Sequence, residues 1–136
     1  MAADPKTKPT DVPVADFIAA VEHPGRRADS EVVQALMAEV TGEPAVMWGP
    51  TIVGYGSYRS STGDWPIIGF SPRKANLVLY IMGQLPERAD LVSRLGRVTT
   101  KGGCIYVTKL AGVDMAVLRD LAVRSVAWMR ENHPRA

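Results

Sequence analysis

The side chains best suited to bind a metal ion are carboxylates in the first third of the chain. They are Asp16, Glu22, Glu31 and Glu39, and His23 adjoins one of them. Carboxylate oxygens and imidazole nitrogens hold transition metals when several converge on one point. Glu31 and Glu39 share a face of a predicted helix but lie about 12 Å apart along it. A metal site would therefore need ligands from two helices, and the alternative is that these carboxylates simply solvate exposed helix faces.

A second group of residues has the chemistry to bind an anionic or flat ligand. Most of the aromatic residues fall between positions 48 and 106, where arginines and lysines alternate with them. Aromatic rings and cations together can hold such a ligand through stacking and charge-assisted hydrogen bonds. The candidate ligand-binding residues are Trp48, Tyr58, Trp65, Arg73 and Lys74. The alternative is that the aromatic rings fill the core of a sheet and that the two cations only solubilise a turn.

No residue pattern calls for catalysis. The pair Gly54 and Gly56 lacks the third glycine and the following helix of a phosphate-binding loop. Cys104 opens an apolar strand after two glycines and is expected to be a buried, unreactive thiol. His23 and His133 adjoin prolines and are expected at the surface. We therefore expect a non-enzymatic activity, and an enzyme whose site assembles only in three dimensions stays open as an alternative.

The composition is that of a globular domain with an uneven distribution of charge. The 136 residues are 46% hydrophobic and 22% charged, which excludes disorder over the whole length. The net charge of +2 divides into −4 over residues 1–43 and +6 over the remainder. The basic residues of the remainder are scattered along the chain and match no recognition motif, so nucleic acid is not expected as a partner.

The sequence also bears on location and domain organisation. One cysteine permits no intramolecular disulfide, and no apolar run approaches the ~18 residues of a membrane span. The N-terminus lacks the apolar centre of a secretory signal, so a cytoplasmic location without membrane contact is expected. Residues 1–10 are predicted to be a flexible tail, and residues 11–136 a single domain.

Helices are predicted at both ends of the chain. Apolar residues at helical spacing indicate a helix over about residues 13–21, and a second helix should start at Asp29 or Ser30 and stop at Gly42. A helix over residues 86–95 and a last helix capped by Asp114 follow later in the chain.

Between the helices, short runs separated by turns predict strands. They cover residues 45–48, 51–60, 65–71, 75–82 and 104–108. Strands joined by such short turns must run antiparallel. The predicted fold class is therefore α+β, a two-layer structure with helices packed on an antiparallel β-meander sheet.

Residues 40–114 resemble the YdhG-like domain family of small bacterial proteins, which are mostly of unknown function. The motifs that carry the resemblance are Thr41-Gly42, Met47-Trp48-Gly49, the run Ile52–Tyr58, the run Gly69–Lys74, Leu79-Tyr80-Ile81, Leu95-Gly96, the run Cys104–Val107, Lys109-Leu110 and Val113-Asp114. The resemblance implies a compact α+β fold with helices on an antiparallel sheet, in agreement with the elements predicted above.

One branch of that family is regarded as frataxin-like, that is, as an iron chaperone. The resemblance therefore implies iron as a possible cofactor and iron-using assembly proteins as partners. It carries over no ligand residues, so the candidate metal ligands remain the carboxylates selected above for their chemistry, Asp16, Glu22, Glu31 and Glu39. The alternative function is a small-molecule or protein-binding module that uses an aromatic and basic face of the sheet, with a small anionic ligand as its partner.

Overall fold

The structure is a computed structural model, which describes residues 9–60, 63–81, 83–101 and 103–133. It contains four α-helices, and the predicted α+β class is confirmed. The helices are α1 (Val14–Ala19), α2 (Pro24–Thr41), α3 (Arg88–Ser93) and α4 (Met115–Asn132). The strands are β1 (Ala45–Trp48), β2 (Ile52–Tyr55), β3 (Tyr58–Ser60), β4 (Gly63–Trp65), β5 (Ile68–Pro72), β6 (Leu77–Tyr80), β7 (Val98–Lys101) and β8 (Cys104–Val107).

Six of these strands form one antiparallel sheet in the order β1-β2-β5-β6-β8-β7. The other two, β3 and β4, pair with each other as a separate hairpin, with Tyr58 opposite Trp65. Along each strand of the large sheet, alternate residues enter the core beneath the helices, as period-two alternation requires. Val53, Phe70, Leu79 and Ile105 are core residues of this kind.

The helices cover one face of the sheet. α2 contacts β2 and β5, α1 contacts β1, and α4 packs against α2 and α3. The buried stripe of α4 includes Leu118, Leu121 and Met129, and Asp114 caps its start by accepting the backbone N–H groups of Ala116 and Val117. The predicted cap of the last helix is therefore confirmed.

Three predicted elements were wrong in their boundaries. The strand predicted over residues 65–71 is divided, because Trp65 ends β4 and Ile68 begins β5. α2 begins at Pro24 rather than at residue 29 or 30, because His23 caps it and the proline ring suits the first helical turn. The single strand predicted over residues 51–60 is divided into β2 and β3, since Gly56 adopts a φ of 65°. That left-handed conformation directs the chain out of the large sheet and into the hairpin.

Strand β7 was not predicted. Its sequence, Val98 to Lys101, is mostly polar and three of its four residues are exposed, as is usual for a strand at the edge of a sheet. At the opposite edge, the Thr10 N–H donates to the Met47 carbonyl oxygen over 2.8 Å, so Pro9 and Thr10 lie alongside β1. Residues 1–8 of the predicted flexible tail lie outside the described residues.

None of the described helices is both long and apolar enough to cross a membrane.

Candidate functional site: a basic cleft beside the β5–β6 turn

A cleft of about 370 Å³ lies where the α1–α2 connection meets the turn between β5 and β6. We call it the Arg26 cleft. Its lining residues are Phe17, Ala20, Val21, Glu22, His23, Arg26, Pro72, Arg73 and Lys74. Residues some fifty positions apart in the sequence thus form one concave surface. Because a bound small molecule needs concavity, this cleft is the natural place to look for a ligand.

Arg26 is the most unusual residue of the cleft. It is only 5% exposed, although arginine is almost never fully buried without a partner. Its guanidinium group donates to the backbone carbonyl oxygens of Arg73, Lys74 and Ala75 over 3.2, 2.7 and 3.4 Å. These bonds fasten the start of α2 to the β5–β6 turn and so define two walls of the cleft.

Those carbonyl groups accept hydrogen bonds from only some of the N–H donors of the Arg26 guanidinium. Its Nε atom is buried and has no hydrogen-bond partner among the described residues, and the side chain forms no ion pair there. A buried cation that is balanced only by neutral carbonyl oxygens leaves a positive potential in its surroundings. The chemistry of the cleft at this point favours an anion.

His23 adds a hydrogen-bond donor to the same surface. Its Nδ1 atom accepts the Arg26 backbone N–H over 3.0 Å, which is the cap of α2. In a neutral imidazole with Nδ1 as acceptor, the proton resides on Nε2. The ring therefore presents an N–H donor while its other nitrogen holds the helix start in place.

Arg73 and Lys74 supply the cations of the opposite wall. The Arg73 guanidinium group donates to the Tyr80 hydroxyl over 2.8 Å, and its backbone N–H closes the turn onto the Asn76 carbonyl. Lys74 is exposed, and within the described part of the chain it forms no ion pair. Its ammonium group is thus available to a ligand.

The remaining wall of the cleft mixes one carboxylate with apolar side chains. Phe17, Val21 and Pro72 provide apolar surface, and Glu22 is exposed at the rim. A ligand that fits has an anionic group for the cations and a small apolar part for Phe17. The carboxylate of Glu22 opposes anion binding unless the ligand also carries a hydrogen-bond donor.

The predicted metal ligands do not gather in the structure. Glu22 lies at the Arg26 cleft, whereas the Glu39 carboxylate forms an ion pair with Arg119 of α4 at 2.6 Å. Arg119 holds the pKa of the Glu39 carboxyl below its usual value through this hydrogen bond and its charge. Asp16 and Glu31 are exposed on α1 and α2. The described residues contain no group of three or more His, Cys, Asp or Glu that could hold a metal ion.

The five predicted ligand-binding residues are divided among separate places. Arg73 and Lys74 line the Arg26 cleft. Trp48 is 3% exposed, and its indole lies against Gly54 beside Pro66. The Tyr58 ring lies 5.1 Å from the His133 ring, and the Trp128 ring lies 5.6 Å from the same His133 ring. Trp65 is on β4, opposite Tyr58 on β3. The two cations of the prediction thus meet in one cleft, while the three aromatic residues lie outside it.

Cys104 is half-buried on the sheet, not fully buried as predicted. Burial raises the pKa of its thiol, and the opposing effects of Arg73 and Arg88 are smaller. The thiol therefore stays protonated near neutral pH, in line with the expectation of an unreactive cysteine.

Arg26 is the site residue that the sequence interpretation missed. A signal for its burial exists, because Arg26, Ser30, Val33 and Met37 follow one another at helical spacing and all four are buried. The polar identity of the first two residues concealed that stripe. Starting α2 at residue 29 or 30 concealed it further.

Searches with this chain against protein-family models, curated proteins and solved structures found no match.

Proposed function

We propose that this protein binds a small anionic molecule in the Arg26 cleft. The observation that carries the proposal is the buried Arg26 guanidinium, which lines the cleft and has no ion pair and an unpartnered Nε atom among the described residues. Lys74 and the Nε2–H of His23 supply further donors beside it. A bound anion would balance a charge that the described fold leaves uncompensated.

The chemical class of the ligand follows from the lining. Phosphate and carboxylate groups accept hydrogen bonds from arginine and lysine in the geometry that these side chains present. Phe17, Val21 and Pro72 favour an apolar group next to the anion. Phenyl phosphate combines the two features and is a suitable probe.

The proposal is tested by calorimetric titration with phenyl phosphate. We expect saturable binding at one site with a Kd of about 1 mM or lower. Lys74→Met should weaken binding by about tenfold, because one charge-assisted hydrogen bond is lost. His23→Asn should weaken it as well, because asparagine retains the helix cap but lacks the Nε2–H donor.

Two further variants distinguish the cleft from general charge effects. Lys109→Met removes an exposed cation that lines a different cavity, and it should leave the Kd unchanged. Glu22→Gln should tighten binding, because it removes the carboxylate at the rim of the cleft. If Lys109→Met weakens binding as much as Lys74→Met does, the cleft is not the binding site.

Membership of the YdhG-like family, with the cytoplasmic iron handling of its frataxin-like branch, remains a competing proposal that rests on the sequence resemblance. It predicts saturable binding of ferrous iron under anaerobic conditions, lost when Asp16, Glu22, Glu31 and Glu39 are neutralised together. Glu22→Gln thus separates the two proposals in a single variant. It should weaken iron binding under the family proposal and tighten phenyl phosphate binding under ours.

A further inference from the structure

The sheet face opposite the helices has the features of a second binding surface. On β5, β6, β8 and β7, the residues that point away from the core alternate with the core residues. We call this surface the open face. Ser71 and Val78 at its centre are buried, and its accessible polar and aromatic residues are Arg73, Asn76, Tyr80, Tyr106, Arg97, Thr99 and Lys101.

The open face is positively charged and contains no carboxylate on its four strands. Residues 68–80, 97–101 and 104–109 include arginines and lysines but neither aspartate nor glutamate. Arg73, Arg97 and Lys101 are exposed and form no ion pair within the described part of the chain. This face therefore carries positive charge that no carboxylate on its four strands compensates.

On the helix side of the molecule, several exposed arginines form ion pairs. Arg94 pairs with Asp90, Arg119 with Glu39 and Arg124 with Asp120, at distances between 2.6 and 3.1 Å. These three exposed arginines are therefore neutralised by carboxylates close to them, whereas Arg26, Arg27 and Arg88 donate to backbone carbonyl oxygens. The contrast means that a polyanion is attracted to one side of the molecule in particular.

Two tyrosine rings lie among the cations of the open face. Tyr80 on β6 is opposite Cys104 on β8. Tyr106 lies two residues beyond Cys104 on β8, so the Tyr80 and Tyr106 rings are diagonal neighbours. Both are half-buried, and the Arg73 guanidinium group fixes the Tyr80 hydroxyl. Tyr106 lines a shallow depression of about 280 Å³ together with Asn76, Arg97 and Thr99.

We propose that the open face binds single-stranded nucleic acid, with bases stacked on Tyr80 and Tyr106 and phosphates bound by Arg97 and Lys101. Single-stranded nucleic acids are bound by surfaces that combine cations with aromatic rings, and a sheet with exposed aromatic residues is one common platform for this. The sequence interpretation did not expect nucleic acid because the cations are scattered along the chain, whereas the sheet brings them together. An acidic peptide would use the cations and leave the tyrosine rings without a function, so the rings favour nucleic acid.

The test is a titration of short fluorescein-labelled oligouridylate and oligothymidylate, followed by fluorescence anisotropy at low ionic strength. We expect saturable binding that weakens with salt. Tyr106→Ala should weaken it by at least about fivefold, because stacking of one base is lost, and Tyr106→Phe should retain it. Arg97→Glu and Lys101→Glu should weaken it and should make the salt dependence shallower, by about 0.7 in the logarithmic slope for each cation removed.

Arg94→Glu is the matched control, because it makes the same change in net charge on an exposed arginine at the C-terminal end of α3. It should leave the affinity within about twofold of the wild-type value. Arg97 and Lys101 are exposed, so their variants remain informative if Tyr106→Ala does not fold.

The proposal is overturned by any of three results. They are the absence of saturable binding at low salt, an equal loss of affinity in Arg94→Glu and Lys101→Glu, or equally tight binding of polyglutamate that Tyr106→Ala does not change. The last result would assign the open face to acidic proteins. None of the test variants lines the Arg26 cleft, so the outcome is independent of the function proposed for that cleft.

Discussion

At the scale of single residues, Arg26 contributes both to the stability of the protein and to its proposed function. The same guanidinium group fastens the β5–β6 turn through three carbonyl oxygens and contributes positive charge to the cleft. A purely structural arginine would ordinarily have a carboxylate partner, because an ion pair offsets the cost of burying the charge.

Replacing Arg26 by methionine should lower the free energy of unfolding by about 2 kcal/mol, because hydrogen bonds from a charged donor are lost. Urea denaturation of the purified variant measures this change. Arg94→Met is the control, since its exposed ion pair with Asp90 contributes less than about 1 kcal/mol. Equal stability losses in the two variants would contradict the structural role of Arg26.

Tyr55 gives the protein a sensitivity to alkaline pH. It is fully buried, its hydroxyl donates to the Gln34 carbonyl oxygen over 3.0 Å, and burial raises the pKa of the phenol well above its usual value. Above pH ~10 the unfolded chain releases this proton while the folded chain retains it. The free energy of unfolding should therefore fall as the pH rises beyond that point.

The Tyr55→Phe variant tests this contribution. It should cost about 1 kcal/mol near neutral pH, because the hydrogen bond to Gln34 is lost. Above pH ~10, its free energy of unfolding should fall less steeply than that of the wild type, by about 1.4 kcal/mol per pH unit. Denaturation curves at several alkaline pH values measure the difference, and parallel slopes for the two proteins would refute the assignment.

At the scale of secondary-structure elements, the close approach of β2 and β5 depends on glycine. A Cβ atom on Gly69 would lie 2.6 Å from the Val53 carbonyl oxygen, which is part of the sheet backbone and has little freedom to move. The neighbouring Gly54 faces the Trp48 indole in the same manner. The glycines therefore permit the packing at the centre of the sheet.

Gly69→Ala should lower the free energy of unfolding by about 3 kcal/mol, because the added methyl group forces the two strands apart. Thr99→Ala is the matched control on the exposed edge strand β7, and it should change stability by less than about 1 kcal/mol. Thermal or urea denaturation compares the two. A stability loss for Gly69→Ala no larger than that of the control would show that the strands tolerate the extra volume.

Elements were predicted well where apolar residues recur regularly over many positions. They were predicted poorly where the conformation of a single residue determines where a strand ends. α4 was predicted with its cap because Asp114 precedes a continuous buried stripe. The division of β2 from β3 depends on the left-handed Gly56, and an alternating pattern runs through that position undisturbed. β7 is polar because it is an edge strand, so it lacks the pattern by which strands are predicted.

The candidate site was predicted only in part for a similar reason. Arg73 and Lys74 were identified because a turn with two cations is visible locally. Their meeting with His23 and Arg26 is a tertiary contact between residues some fifty positions apart, and no local pattern encodes it. The sequence left open whether the Trp48 ring binds a ligand or fills the core, and the structure shows that the ring is buried.

At the scale of the whole molecule, the charge asymmetry of the sequence has a different meaning from the one its linear order indicates. Glu39 and Glu43 of the acidic first third pair with Arg119 and Arg130 of α4, so the two signs interleave on the helix side. Four exposed cations without ion pairs in the described chain, Arg73, Lys74, Arg97 and Lys101, lie instead at the Arg26 cleft and on the open face. The two proposed sites thus contain part of the excess positive charge of residues 44–136.

The binding of an anion in the Arg26 cleft is the central claim, and a nuclear magnetic resonance titration tests it most directly. Phenyl phosphate is added to ¹⁵N-labelled protein, and the shifts of the backbone amide signals are followed. We expect saturable shifts that concentrate on residues 20–27 and 73–76 and that are reduced in Lys74→Met. Shifts that concentrate on Tyr106 and Lys101 instead, or that spread over all exposed cations without saturating, would contradict the claim.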